Sequence, residues 1–309
     1  MKKIFLVGML VGLLALGGTG CMKRKDTSAG RRVIQDIESA RNISDPEDRA
    51  SRLAKLAVQQ NELLKDSLGA RTTIQLAEKA CGEIEDIRSK VTAYSTLSES
   101  YLQLGRSSGA RQALKKAQAA IGELPENTPA DEMIESLLGL ANAQGALGAT
   151  ADASQSLLGV MEQLDKIESE IGKVDTVTKV AAAYTQMKAE AGRDEMYAKL
   201  TEMAEAAENA RTRCDIYCRL ADIQLKGDLK EIGETTLKTA LDGVEKIEGL
   251  GAQAMTLCQI ATVYQGTGND AEARKLVQDA DKRANREKDN SLRTAAQEQV
   301  SSMKSKLGL

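Results

Sequence analysis

The chain has 309 residues, with 42 basic and 45 acidic side chains, a formal charge of −3, and neither His nor Trp. With no imidazole it lacks the usual general base and nitrogen metal ligand, and with no basic excess it lacks the electrostatic footprint of a nucleic-acid binder. Pro occurs only three times, and Ala, Leu, Glu, Lys and Gln dominate, so helix is favoured nearly throughout.

At the N-terminus Lys2 and Lys3 precede an apolar run from Ile4 to Leu16, and the small residues Gly17, Gly18, Thr19 and Gly20 follow it. Charged, apolar, then small is the order of a secretory signal. The run is shorter than the roughly 18 to 20 residues that span a bilayer. The cysteine directly after the small residues adds to this. The segment resembles a bacterial lipoprotein signal with Cys21 at the modified position, although that family prefers an aliphatic residue where Gly18 stands. The resemblance implies a signal over 1–20, a diacylated Cys21, and a polar tether over 21–32. It also implies a protein held to a membrane of the cell envelope, the outer rather than the inner. Loss of Lys2 and Lys3 leaves 40 basic and 45 acidic groups, a charge of −5.

From residue 33 onward one pattern recurs: an aliphatic, a small residue, two variable residues, then Tyr or Gln. The pairs Leu56-Ala57, Leu97-Ser98, Leu140-Ala141, Val180-Ala181, Leu220-Ala221 and Ile260-Ala261 lead to Gln60, Tyr101, Gln144, Tyr184, Gln224 and Tyr264, at spacings of 41, 43, 40, 40 and 40. Seven residues before each Tyr or Gln stands another apolar residue (Leu53, Tyr94, Leu137, Val177, Tyr217, Leu257), on the same helical face. This predicts helix A of a repeat. Gly69, Ala110, Ala153, Gly233 and Ala273, nine residues after the Tyr or Gln, open a second apolar stripe and predict helix B.

Gly105, Gly148, Gly227 and Gly268 lie in the turns between, where glycine can take the left-handed helix-ending conformation. In the fourth unit Gly192 lies later, which predicts a helix A longer by about one turn and a shorter helix B. Asp45-Pro46 and Thr128-Pro129 have the cap-then-proline signature of a helix start. Val33, Ile34, Ile37 and Ala40 suggest a leading half-repeat, and Leu292, Ala296, Val300, Met303 and Leu307 a closing helix.

These residues resemble the tetratricopeptide-repeat family, most closely at Ile260-Ala261, Tyr264, Gly268, Ala273 and Ala280. The resemblance covers roughly residues 45 to 290. The period is 40 rather than the family's usual 34 residues, and Ala replaces its helix A glycine. It implies an all-α, right-handed solenoid of about six helix-turn-helix repeats with capping helices over 33–309. It also implies a protein-binding role, as in the adaptors among outer-membrane and pilus-assembly lipoproteins.

In such a solenoid the helix A faces line the groove. Nine residues before the Tyr or Gln stand Glu135, Asp175 and Asp215, and two before it Glu99, Asn142, Asp222 and Thr262. Stacked, these form an anionic row for a basic or hydrogen-bonding protein or peptide segment. Tyr94, Tyr101, Tyr184, Tyr217 and Tyr264 share repeat positions and belong to the core. Cys218 and Cys258 also share one, which points to packing, and whether Cys81, Cys214, Cys218 or Cys258 pair is open. No phosphate loop, metal motif or nucleophile-base pair is present, so no cofactor is implied and the chain reads as non-enzymatic. The alternatives are a lipoprotein that captures peptide or glycan, which would favour aromatic platforms that the mature chain lacks, and an enzyme built on a reactive Cys or Lys.

Overall fold

A computed structural model describes residues 28–309. The signal, Cys21 and most of the tether lie outside the described residues. Fourteen α-helices and no strand are found among the described residues. A leading α1 (Ser28–Arg41) is followed by six pairs: α2 (Pro46–Leu64) with α3 (Ser67–Glu83), α4 (Ile87–Gln103) with α5 (Ser107–Gly122), and α6 (Ala130–Ala146) with α7 (Thr150–Glu162). Then come α8 (Glu170–Gln186) with α9 (Glu190–Ala206), α10 (Ala210–Lys226) with α11 (Lys230–Gly243), and α12 (Leu250–Gly266) with α13 (Asp270–Arg286), before the closing α14 (Asn290–Leu307). α1 begins at Ser28, so helix already occupies the last residues assigned to the tether.

The even-numbered helices from α2 to α14 pack in series, each on the next. The odd-numbered helices pack on their own partner and on the following A helix. The A layer is thus the tighter, inner side of an α-solenoid. The small residue of each repeat explains that tightness: Ala57, Ser98, Ala141, Ala181, Ala221 and Ala261 are all completely buried. A side chain of that size lets helix axes approach to roughly 8 Å, and the close contact offsets the lost apolar bulk.

In the first four units the Tyr or Gln of helix A is matched to its own helix B. A Cβ on Gly109 would stand 2.6 Å from the Tyr101 ring, and one on Gly192 would stand 2.5 Å from the Tyr184 ring. Where the residue is Gln, a hydroxyl replaces the ring: Thr73 donates to Gln60 Oε1 and Ser156 to Gln144 Oε1, both at 2.8 Å. In the fifth unit Thr236 donates instead to the Ile232 carbonyl, leaving Gln224 Oε1 buried without a partner among the described residues. Tyr101 also donates to Glu78 (2.6 Å), which accepts from Lys116 as well (2.8 Å), tying α3, α4 and α5 together. Tyr94, Tyr101 and Tyr184 are buried, whereas Tyr217 and Tyr264 keep a partly exposed edge.

Gly192 is therefore a ring-contact residue inside α9 and not a turn. The fourth unit has two helices of 17 residues, so the long helix A and short helix B do not exist. Its left-handed position is filled by Lys188 (φ 55°), as Lys65 (φ 54°) and Asp228 (φ 62°) fill theirs. Gly105, Gly148 and Gly268 take that conformation as expected, but Gly227 does not, because the turn is completed one residue later at Asp228. Asp45 caps α2 by accepting from the Asp48 amide at 2.8 Å. Thr128 caps nothing: Pro129 occupies the cap position of α6, and the Thr128 hydroxyl turns back to the Pro125 carbonyl. At the N-terminal end Val33, Ile37 and Ala40 are buried and Ile34 is exposed.

A feature not anticipated from sequence ties each of several junctions between repeats. The residue closing a helix B is extended, as at Ile84, Ala207 and Glu287. Six residues after it, in the first turn of the next helix A, a side chain donates back to its carbonyl: Arg213 to Ala207 (2.8 Å), Gln253 to Ile247 (2.8 Å) and Arg293 to Glu287 (3.2 Å). Arg49 holds Ile43 in the same way (2.7 Å). Arg213 adds a second bond to the Ala204 carbonyl at 3.2 Å.

Two substitutions test these assignments by thermal unfolding. Arg213→Met keeps a similar length but cannot donate, and is expected to cost about 2 kcal/mol by orphaning partly buried carbonyls. Lys188→Gly is expected to stabilise by about 1 kcal/mol, since a left-handed backbone costs a side-chain-bearing residue roughly that much. Equal melting of either variant and the parent would refute the corresponding role.

Candidate functional site

The exposed faces of the A helices form one continuous polar surface on the inner side of the stack. Its continuity is visible in the contacts that cross from unit to unit. Arg219 on α10 reaches Asp175 on α8 at 2.5 Å while also holding Asp215 at 2.7 Å. Gln259 on α12 donates to Asp215 at 3.5 Å, and Thr262 on α12 meets the Met303 sulfur on α14 at 3.3 Å. Two of the three acids that repeat one position are thus brought together, around a shared guanidinium. Glu135, the third, pairs at 3.7 Å with Arg88 from α4.

The other residues singled out occupy the same surface without joining that cluster. Asp222 pairs with Lys226 one turn along its own helix, at 2.7 Å. Glu99 is exposed and has no cationic partner among the described residues. Asn142 borders a shallow cleft of about 140 Å³ between α6 and α8, together with Gly145, Ala183, Gln186 and Met187. Asn142 is exposed there.

The row of acids is therefore present, but cations stand within it. Arg88, Arg219 and Lys226 pair with four of the five acids, and because Arg219 serves both Asp175 and Asp215 the row keeps a residual charge of about −2, so the surface offers paired charges and amides with a reduced negative field. Sequence reasoning missed these cations. The signal was available for Arg219, which stands four residues after Asp215 and so on the same helical face.

No group of three or more His, Cys, Asp or Glu among the described residues could hold a metal ion, and no described helix is long and apolar enough to cross a membrane. A cleft of about 510 Å³ lies where the turns of the fifth and sixth units meet, lined by Lys226, Lys230, Glu234, Tyr264 and Thr267 among others. Both of its lysines are already paired, Lys226 with Asp222 and Lys230 with Glu234.

Cys81, Cys214, Cys218 and Cys258 are free and buried. Burial pushes the Cys81 thiol up to about 12, with the Glu78 carboxylate adding to the effect. Burial likewise raises Cys258 to about 11 and lifts Cys214 and Cys218 above the ordinary thiol range. A thiol held protonated and out of solvent is a poor nucleophile. A maleimide at pH 7.5 is thus expected to leave all four unlabelled on the folded protein within minutes and to label all four in denaturant. Rapid modification of any one of them in the native state would restore the cysteine-enzyme reading.

No protein-family model matches this chain, and no curated protein matches it. Solved structures similar to it are distant. Ton1535 from Thermococcus onnurineus NA1 is 14% identical, covers 87% of this chain and 83% of its own, and has a TM-score of 0.35. A Rap protein complexed with Competence and Sporulation Factor is 12% identical over 93% of this chain and 82% of its own, with a TM-score of 0.35. The STAND protein PH0952 from Pyrococcus horikoshii, described as having a tetratricopeptide repeat sensor, is 18% identical over 90% of this chain and 42% of its own, with a TM-score of 0.37.

Proposed function

We propose that this protein is a non-enzymatic, lipid-anchored scaffold of the bacterial cell envelope, tethered through Cys21 and docking a protein or peptide segment along its A-helix surface. The observation that carries the reading is the continuous, open, hydrogen-bonding surface running across α6, α8, α10 and α12. A surface of that shape suits an extended segment, whose main chain can be met by amides and paired charges at successive repeats. The partial compensation of the acids favours a polar occupant over a strongly basic one. The order of Lys2-Lys3, apolar run, small residues and Cys21 supports the anchor, and two acyl chains would give stable attachment where one would not. The outer membrane is the proposed location.

Two measurements separate the halves of this proposal. The mature N-terminus, analysed by mass spectrometry, is expected to begin at a diacylated Cys21. An unmodified cysteine, or retention of residues 1–20, would remove the anchor. Photo-cross-linkers placed at Glu99, Asn142 and Thr262 in cells are expected to trap one common protein that a cross-linker at Glu202, exposed on the outer helix α9, does not. Capture from Glu202 alone, or from none of the positions, would dismiss the groove.

A further inference from the structure

The charge of the mature chain is unevenly distributed. Residues 36–309 carry 35 basic against 44 acidic side chains, a balance of −9, whereas residues 22–35 carry Lys23, Arg24, Lys25, Arg31 and Arg32 against Asp26 alone, a balance of +4. Arg31 and Arg32 lie in the first turns of α1, which packs on α2 and forms the terminal face of the stack. Both are exposed, and neither has a carboxylate partner among the described residues; Asp36, on the same helix, pairs with Arg52 instead. The first turn of α1 also contains no acid. Cations at the positive end of a helix dipole work against the helix, so local stability does not account for them. Beside them Ile34 is 46% exposed, an apolar side chain on the same outward face.

We propose that this basic N-terminal end of the solenoid is a docking surface for anionic phospholipid headgroups. The inference rests on the membrane reading above and adds an orientation to it. Arg31, Arg32 and the run Lys23 to Lys25 attract a negatively charged lipid surface while the body, at −9, is repelled by it. The stack then stands on its N-terminal end and keeps its inner surface away from the bilayer. Basic residues beside a lipid anchor supply a second, independent attachment, and the attraction fades beyond a Debye length of roughly 8 to 10 Å at physiological salt.

The test uses the mature chain from residue 21 with Cys21→Ser, which retains every described helix and cannot be acylated, so its outcome is independent of lipidation and of any groove partner. Sedimentation with phosphatidylcholine vesicles containing 30% phosphatidylglycerol in 50 mM salt is expected to pellet the protein. Pure phosphatidylcholine vesicles are expected to leave it in solution, and 300 mM salt to release it. Arg31→Gln with Arg32→Gln is expected to weaken partition about 30-fold, at roughly fivefold per charge, with helicity and melting temperature unchanged. Equal binding to neutral vesicles, no binding to anionic ones at 50 mM salt, or unchanged partition of the double variant would each overturn the proposal.

Discussion

Everything in this molecule depends on helices being able to come close. A single repeat has two short helices and too little apolar surface to fold alone, so it must complete its core against the next one. The completely buried Ala57, Ser98, Ala141, Ala181, Ala221 and Ala261 make that possible by leaving room for the neighbouring backbone. The arrangement dispenses with large aromatics: 2% of the chain is Phe, Trp or Tyr. Packing of this kind uses up the apolar residues and leaves the polar ones on two broad faces.

The inner face inherits its character from the same geometry. Side chains on successive A helices stand close enough for one guanidinium to serve two carboxylates from different units, as Arg219 does with Asp175 and Asp215. A surface wired in this way has part of its negative charge compensated and holds its donors and acceptors in fixed positions before any partner arrives. Such preorganisation lowers the entropic cost of binding and favours selectivity by hydrogen-bond pattern over attraction by charge.

The sequence makes the stacking plain and the junctions obscure. The repeat of aliphatic and small residues is a packing requirement, it is strict, and it yields the six units and both end helices. Turn residues follow a looser rule. Glycine is the easiest way to satisfy a left-handed position but not the only one, and Lys188 and Asp228 do so without any compositional mark, so the fourth unit invites a misreading. The junction donors are hidden for another reason. Three of the four donors, Arg49, Arg213 and Arg293, are arginines and the fourth is Gln253, while the matching Lys90 and Lys173 of the second and fourth units make no such bond among the described residues, so residue type alone does not mark the role. The carbonyls the four donors hold are no more uniform, belonging to Ile43, Ala207, Ile247 and Glu287. At the candidate site the acids were legible by register, while their counter-ions depended on contacts between units.

The matched pairs at the Tyr or Gln position bear on how such a chain can change over evolution. Tyr101 requires Gly109 and Tyr184 requires Gly192, while Gln60 and Gln144 require a hydroxyl from Thr73 and Ser156. A helix B transplanted from the third unit to the fourth would drive a side chain into the Tyr184 ring, and the reverse exchange would strand a buried amide. The six units therefore look alike but are not interchangeable parts. The cuts a recombining gene could survive fall between a helix B and the following helix A, so the array lengthens, shortens or reshuffles only in complete hairpins.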